Sequence, residues 1–309
     1  MTVSVVICAY TAERWAQIVA AVASVRRQSA PPLETILAVD HNPALARRAR
    51  AELPGVVVTE NRQAPGLSGT RNSGVALARG ELVAFLDDDA VAAPDWLERL
   101  VAAYDAPEVL GVGGAVEPSW AAGRPRGFPP EFDWVVGCTY RGLPERSAPV
   151  RNLIGANMSL RRDVLERVGG FRPGVGRVGR LPSGCEETEL CIRASQRLPG
   201  GRFVYEPRAR VLHAVPASRG GWRYFGSRCF AEGVSKARVA AWRGPADALA
   251  SERSYATQTL PRGLLRNGRA AFRGDGGALV RMAAIAAGLL VTTAGYVTGA
   301  LRIRAAASG

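Results

Sequence analysis

Lysine is nearly absent from this chain. Lys236 stands alone among 40 basic side chains, so the formal charge of +13 is an arginine charge. A surface this basic favours anionic partners: nucleotides, anionic lipid or nucleic acid. Nucleic acid is not expected as a partner, because zinc-finger spacing, a basic heptad and an aromatic-basic RNA signature are all missing. The five cysteines, at 8, 138, 185, 191 and 229, are odd in number and contain no Cys-x-x-Cys pair. That argues against a disulfide framework or a zinc site and for a reducing compartment. The N-terminus shows no charged leader followed by an apolar core, so no signal peptide is expected. Disorder is excluded as well: 47% of residues are hydrophobic and 22% charged over 309 positions, enough for one large or two modest globular domains.

Long apolar runs are also scarce, with one exception. Met282 to Leu301 is uncharged throughout, with Arg281 before it and Arg302 and Arg304 after it. As a helix it would be about 30 Å long, close to the hydrocarbon thickness of a bilayer. It is rich in Ala, Gly and Thr, which makes it a marginal span. The reading is membrane attachment, either crossing or lying along the surface; the alternative is a terminal helix packed on the protein.

What the chain does have is Glu81-Leu-Val-Ala-Phe-Leu-Asp-Asp-Asp-Ala90. Leu82 to Leu86 suit a strand buried on both faces of a parallel sheet. The run stops at Asp87, Asp88 and Asp89, three like charges that raise one another's pKa unless a cation shares them. In open α/β sheets ligands bind just outside the carboxyl ends of the strands. A hard divalent cation carrying a phosphate therefore suits this triplet; a solvated acidic turn is the bland alternative. Around it the pattern alternates. Strands are expected at Thr2–Ala9, Leu33–Val39 and 56–59, and helices at Glu13–Gln28 and Pro43–Leu53. A glycine-bearing turn at Gly66 and Gly69 leads into a helix ending near Gly80, and Pro94 opens another. This β-α-β-α order implies a parallel, right-handed, doubly wound sheet over about the first 115 residues.

Strand ends should then converge on the triplet: Ala9 and Tyr10 from the first, Asp40 from the second, and Arg71 from the third crossover. An Asp can accept from a base imide N–H, an aromatic can stack on the base, and Arg can pair with phosphate. Each also has a plain role, as surface aromatic, helix N-cap or solvated charge. Beyond Val116 the pattern loosens. Residues 123–149 read as a loop-like wall rich in Pro, Gly and aromatics. Asn157–Arg161 reads as a strand, Asp163–Val168 as a helix stopped by Gly169-Gly170, and Glu186–Gln196 as a helix. Strands are expected at Arg202–Tyr205 and again at Arg210–Ala214, and helices after Arg219. Glu186 and Glu187 are first-turn acids that the helix dipole favours, or one of them is a general base. His213 is a core histidine or a neutral imidazole in a metal shell. Gly174-Val-Gly-Arg-Val-Gly179 satisfies the dinucleotide fingerprint in letters only. Pro173 precedes it and Arg180-Leu-Pro follows, so a mobile loop beside the site is expected instead.

In order along residues 2–215, the chain resembles the inverting family 2 glycosyltransferases of GT-A (nucleotide-diphospho-sugar transferase) fold. The likeness rests on Val3-Ser-Val-Val-Ile-Cys-Ala-Tyr10, Leu37-Ala-Val-Asp-His-Asn42, Gly69-Thr-Arg-Asn-Ser-Gly74 with Ala78-Arg-Gly-Glu81, the triplet in place of Asp-x-Asp, and Cys185-Glu-Glu-Thr-Glu-Leu190. The resemblance implies Mn²⁺ or Mg²⁺ on Asp89, ribose or metal on Asp87 and Asp88, and the base on Asp40 and Tyr10. It also implies Arg71 on the nucleotide side, His213 as a metal ligand, and Glu187 as catalytic base. Glu187 stands where the family has Asp, and Cys185 where it has Gly. The implied partners are a nucleotide-diphosphate sugar donor, a glycan or lipid-linked acceptor of a polysaccharide or cell-wall pathway, and the cytoplasmic face of the membrane.

The expected architecture is thus an α/β GT-A domain over residues 1–218, with a nucleotide-sugar half at 1–115 and an acceptor half at 116–218. A basic helical region at 219–309 carries the candidate membrane helix 282–301. Two other functions compete. A nucleotidyltransferase also uses acidic strand ends, but wants a glycine-rich, lysine-bearing loop where Tyr10-Thr-Ala-Glu-Arg-Trp15 stands. A degenerate, membrane-tethered binding module is set against by intact Asp89, Glu187 and His213.

Overall fold

The computed structural model describes residues 1–177 and 183–307. Two compact units emerge, one of residues 1–117, 144–181 and 186–213, the other of 118–143, 182–185 and 214–309.

The first unit is built on a sheet that nucleates at β1 (Val3–Ala9). Its apolar side chains are buried on both faces because it lies between two parallel neighbours, β2 (Glu34–Val39) and β4 (Leu82–Asp87). β3 (Val57–Glu60) extends the parallel part beyond β2. Helices α1 (Trp15–Arg26), α2 (Pro43–Glu52) and α3 (Leu67–Val75) make the crossovers. Pro43 sits in the first turn of α2, whose Asn42 cap accepts from the Leu45 N–H at 3.0 Å; both are favoured helix-start chemistry. α3 packs so close to the sheet that a Cβ on Gly74 would lie 2.5 Å from Val6 Cγ1.

Beyond β4 the sheet changes direction. The order is β3-β2-β1-β4-β8-β6-β9-β5, with β7 pairing β9. Here β5 is Ala90–Ala92, followed by α4 (Trp96–Ala102), β6 (Val109–Trp120) and β7 (Ala148–Val150). Next come β8 (Asn157–Arg161), α5 (Arg162–Val168), α6 (Glu186–Arg197) and β9 (Arg202–Val215). β4 pairs β8 antiparallel, and β5 pairs β9 antiparallel. The Asn157 amide donates to the carbonyls of Ala115 and Ala209 at 2.9 and 2.8 Å and accepts from buried Trp96 at 2.7 Å. One polar side chain thus ties β6, β9 and α4, and all of these bonds are buried, where leaving them unmade is expensive.

The elements correct the sequence reading in three places. The two strands expected at 202–205 and 210–214 are one, because Pro207 does not interrupt β9. The loop-like stretch 123–149 contains a 3₁₀ segment at Pro130–Val136 and the short β7. The long β6 was not expected at all. Of the glycine pseudo-fingerprint 174–179, residues 178 and 179 lie outside the described residues. Gly174 and Gly176 have left-handed φ of 77° and 93°, and the next described helix, α6, starts only at Glu186.

The second unit contains α7 (Trp222–Arg243), two short helices α8 (Pro245–Ala248) and α9 (Ala250–Ser254), a π turn at Tyr255–Thr259, α10 (Leu260–Phe272) and α11 (Gly276–Ala307). α11 meets α7 through glycine. A Cβ on Gly233 would lie 2.0 Å from the Thr292 carbonyl oxygen, and one on Gly295 would lie 2.1 Å from that of Phe230. Aromatics of 120–140 fill the unit's interior: Phe128 and Phe132 stack against Phe225 with centroids 5.5 and 5.2 Å apart. α11 is long and apolar enough to cross a membrane, and only 22% of its apolar window is buried.

Candidate metal and nucleotide site

The strand registers decide which side chains meet. Cys8 of β1 is opposite Asp87 of β4, so both strands finish at one level. Ala90 of β5 is opposite His213 of β9, so the residue before it, Asp89, arrives at the histidine. The His213 Nε2 lies 3.1 Å from Asp89 Oδ1, with 4% and 5% of the two side chains exposed. β5 is held for this purpose by α1: Ser24 Oγ accepts from the Ala92 N–H at 3.0 Å, and the Gln28 amide donates to the Ala93 carbonyl at 2.7 Å.

Asp87, Asp89 and His213 each offer a ligand atom within 4.8 Å of the other two. Two carboxylates and an imidazole make an oxygen-rich donor set suited to a divalent cation. Burial, followed by the charge of Asp89, raises Asp87 above the usual carboxylate range. Burial and the same neighbour push Asp88 up to about 7. Asp88 Oδ2 is buried without a hydrogen-bond partner among the described residues. Carboxylates crowded in this way are stabilised as anions by positive charge, and the donor set fits a metal.

One positive charge already present is Arg14, which sequence reasoning missed. Its Nη1 lies 2.7 Å from Asp88 Oδ1 and 3.1 Å from Asp89 Oδ2. The two carboxylates raise the guanidinium pKa against the opposing effect of burial. Its position at the foot of α1, just outside the end of β1, was the available signal: a cation at the first crossover faces the same edge as the acids.

Beside these acids a pocket is lined by Cys8, Ala9, Tyr10, Arg14, Asp40, Leu67, Thr70, Asp87, Asp88 and Arg177. Five of the residues singled out in the sequence, Ala9, Tyr10, Asp40, Asp87 and Asp88, are therefore together. Asp40 also fixes the pocket's far loop: Oδ1 accepts from the Asn61 amide at 2.7 Å, and Oδ2 from the Gly66 N–H at 2.9 Å. The Tyr10 ring lies 5.5 Å from the Arg14 guanidinium.

Arg71 is placed below the pocket surface, with 2% of its side chain exposed. Nη1 donates to Glu186 Oε1 at 2.9 Å and Nη2 to the Gly155 carbonyl at 3.0 Å, with Asp87 Oδ1 at 3.8 Å. The guanidinium rests over Phe171 and Phe85, 5.2 and 5.8 Å from their centroids. Its evident work is to join the acidic edge of β4 to the start of α6. The two adjacent glutamates thereby part company: Glu186 is buried and ion-paired, whereas Glu187 is half-buried. α6 is pinned by a buried pair, Arg193 to Glu189 at 2.8 Å, with Arg193 also donating to the Gly170 carbonyl at 2.8 Å. Cys185, just before α6, has a left-handed φ of 72°, a conformation glycine adopts freely and cysteine does not.

Comparison with known proteins gives the family and the fold. The family model "Glycosyl transferase family 2" matches residues 4–169. The chain is 40% identical over 240 residues to the glucosyl-dolichyl phosphate glucuronosyltransferase of Haloferax volcanii, covering 76% of each chain. It is 27% identical over 201 residues to the succinoglycan biosynthesis protein ExoM of Rhizobium meliloti, covering 64% of this chain and 60% of that one. Among solved structures it resembles the mannosyltransferase PcManGT from Pyrobaculum calidifontis in complex with GDP-Man and Mn²⁺. There the TM-score is 0.60 at 20% identity, over 96% of this chain and 86% of that one. GalNAc-T7 with UDP, GalNAc and Mn²⁺ gives a TM-score of 0.53 at 19% identity, over 76% and 48%.

Proposed function

The chain belongs to glycosyl transferase family 2 and is a glycosyltransferase of GT-A fold; from that premise we propose that it is a metal-dependent inverting enzyme that moves a sugar from a nucleotide-diphosphate donor to a lipid-linked acceptor at the cytoplasmic membrane face. The observation that carries the reading is the meeting of Asp87, Asp89 and His213 at the strand edge that opens into the pocket. These three residues would hold Mn²⁺, which supplies positive charge against the leaving diphosphate. Asp40 and Tyr10 receive the base, and Asp88 and Arg14 face the ribose and phosphate part of the pocket. Glu187 accepts the proton of the acceptor hydroxyl as that oxygen attacks the anomeric carbon from the face opposite the diphosphate. One displacement of this kind inverts the configuration. Arg71 keeps Glu186 out of competition for the base role by pairing with it. The Haloferax relative is named for glucuronosyl transfer to glucosyl-dolichyl phosphate. It supports a polyprenyl-phosphate-linked sugar as acceptor and a nucleotide-linked glucuronic acid as the first donor to try.

The test is a panel of sugar nucleotides scored by thermal stabilisation with and without Mn²⁺, since a ligand that binds only the native state raises its midpoint. The right donor raises the midpoint only with metal, and Asp89→Ala removes that increment. Glu187→Gln keeps the increment and loses turnover by at least about 100-fold. Unchanged turnover in Glu187→Gln would remove that residue from the mechanism, and a metal-independent shift would remove the metal.

A further inference from the structure

We propose that the arginines of α10 are a binding site for the phosphates of anionic membrane lipids, an inference that rests on the reading of this enzyme as one that works at a membrane. Arg262, Arg266, Arg269 and Arg273 recur at i, i+4, i+7 and i+11. At about 100° per residue all four fall within an arc of about 60° on the helix. They line a groove of about 560 Å³. The buried side of the same helix is Leu260, Gly263 and Asn267, so the arc faces outward.

The acids nearby neutralise only Arg266 of the four. Arg266 is ion-paired with buried Glu131, and Asp275, which also lines the groove, is held by Arg281 at 2.5 Å. Arg262, Arg269 and Arg273 are exposed, and their side chains have no hydrogen bond, ion pair or ring contact among the described residues. Like charges at helical spacings of three and four repel, so the arc is destabilising until an external polyanion shares it. Guanidinium forks suit phosphate oxygens in particular.

Two observations select a bilayer among polyanions. Leu265 and Phe272 flank the arc with 65% and 95% of their surface exposed. Interfacial helices combine an arginine-rich face with Leu and Phe beside it. The chain then enters α11, which leaves Leu279, Leu290, Val297 and Leu301 exposed at 64%, 70%, 50% and 58%. An apolar row of this length on a basic unit is covered by acyl chains, with phosphates above them within reach of the arginines.

The experiment is flotation of the full chain with vesicles of phosphatidylcholine alone or mixed with phosphatidylglycerol. Wild type binds the anionic vesicles more tightly, and raised salt removes the difference. The triple variant R262Q/R269Q/R273Q loses about fivefold per charge, on the order of 100-fold in all, with a thermal midpoint no lower than that of wild type, because none of the three has a partner and their mutual repulsion is removed. Inorganic phosphate does not compete. Equal binding of wild type to both vesicles, or full binding by the triple variant, overturns the proposal. Displacement by inorganic phosphate overturns the lipid source, and a wild-type dimer that the triple variant dissociates assigns the arc to a second copy instead. Should the triple variant misfold, Leu265→Ser with Phe272→Ser takes its place and must weaken binding to both vesicles, or the site is not interfacial. Mn²⁺-dependent donor hydrolysis without vesicles is measured alongside. It persists in the triple variant, and its absence from wild type would sink the transferase reading while leaving the vesicle result to stand or fall alone.

Discussion

At the scale of single residues the site is a problem of charge. Asp87, Asp88 and Asp89 were legible as a candidate cation site because three acids ending a buried strand repel one another, and His213 as a candidate partner; the fold brings Asp87, Asp89 and His213 together. Arg14 was not legible, since a lone arginine in a helix start belongs to no motif; only coordinates put its Nη1 within 3.1 Å of Asp89. Arg14 opposes any divalent ion at the same carboxylates. Arg14→Gln should therefore tighten Mn²⁺ binding without donor by about tenfold, or 1.4 kcal/mol, measured by titration calorimetry, while lowering the metal-free thermal midpoint. Weaker Mn²⁺ binding would instead make Arg14 a support that positions the acids. Arg71 was read from sequence as a residue of the nucleotide side, and its near-complete burial gives it a different kind of importance. Arg71→Ala leaves the Glu186 carboxylate buried and unpaired, an error that costs about 3–5 kcal/mol. A large drop in the unfolding midpoint is expected, and Glu186→Gln in the same background should recover part of it. No drop would mean that water replaces the guanidinium.

At the scale of elements, the parallel strands were readable because burial on both faces leaves continuous apolar runs, and their limits shifted by only a residue or two. β6 was not, because Gly111, Gly113 and Gly114 look like loop residues. The packing explains them: a Cβ on Gly114 would lie 1.9 Å from the Ala209 carbonyl oxygen and one on Gly111 2.7 Å from that of Ser159. Neighbouring backbones come too close for any side chain, so the strand is glycine-rich because it is central. β9 also carries a proline within its span, Pro207. The helical unit uses the same device where α7 meets α11. Gly295→Val would drive its side chain into the Phe230 carbonyl, which is backbone and cannot move aside cheaply. The variant should part the two helices and speed proteolysis of the Arg273–Gly276 connection. Gly268→Ala on α10, where a Cβ meets nothing within 4 Å, should stabilise by about 0.5–1 kcal/mol. Equal proteolysis rates in Gly295→Val and wild type would show that α11 does not depend on this contact.

At the scale of the whole molecule, the membrane attachment proposed above leaves a choice of how α11 would meet the bilayer, which hydropathy alone leaves open because crossing and lying flat need the same apolar residues. The packing within the helical unit favours lying flat. The contact residues Gly233, Val234 and Ala237 of α7 lie against Thr292 to Gly299, in the C-terminal half of the apolar run 282–301. Beside them α7 carries a charge cluster, with Lys236 2.7 Å from Glu252 and 3.6 Å from Glu232, and Arg228 3.5 Å from Glu232. Were α11 to cross, these ions would be drawn into the hydrocarbon between its midplane and one face, where charged side chains are costly. Lying in the interface, α11 buries its exposed leucines and valine while α7 keeps its charges in water. The expected outcome is that tags on Met1 and after Gly309 are both labelled by an impermeant reagent from the cytoplasmic face of membrane vesicles, and from that face alone. Labelling of the C-terminal tag from the opposite face would establish a crossing, and would require α7 and α11 to separate in the membrane.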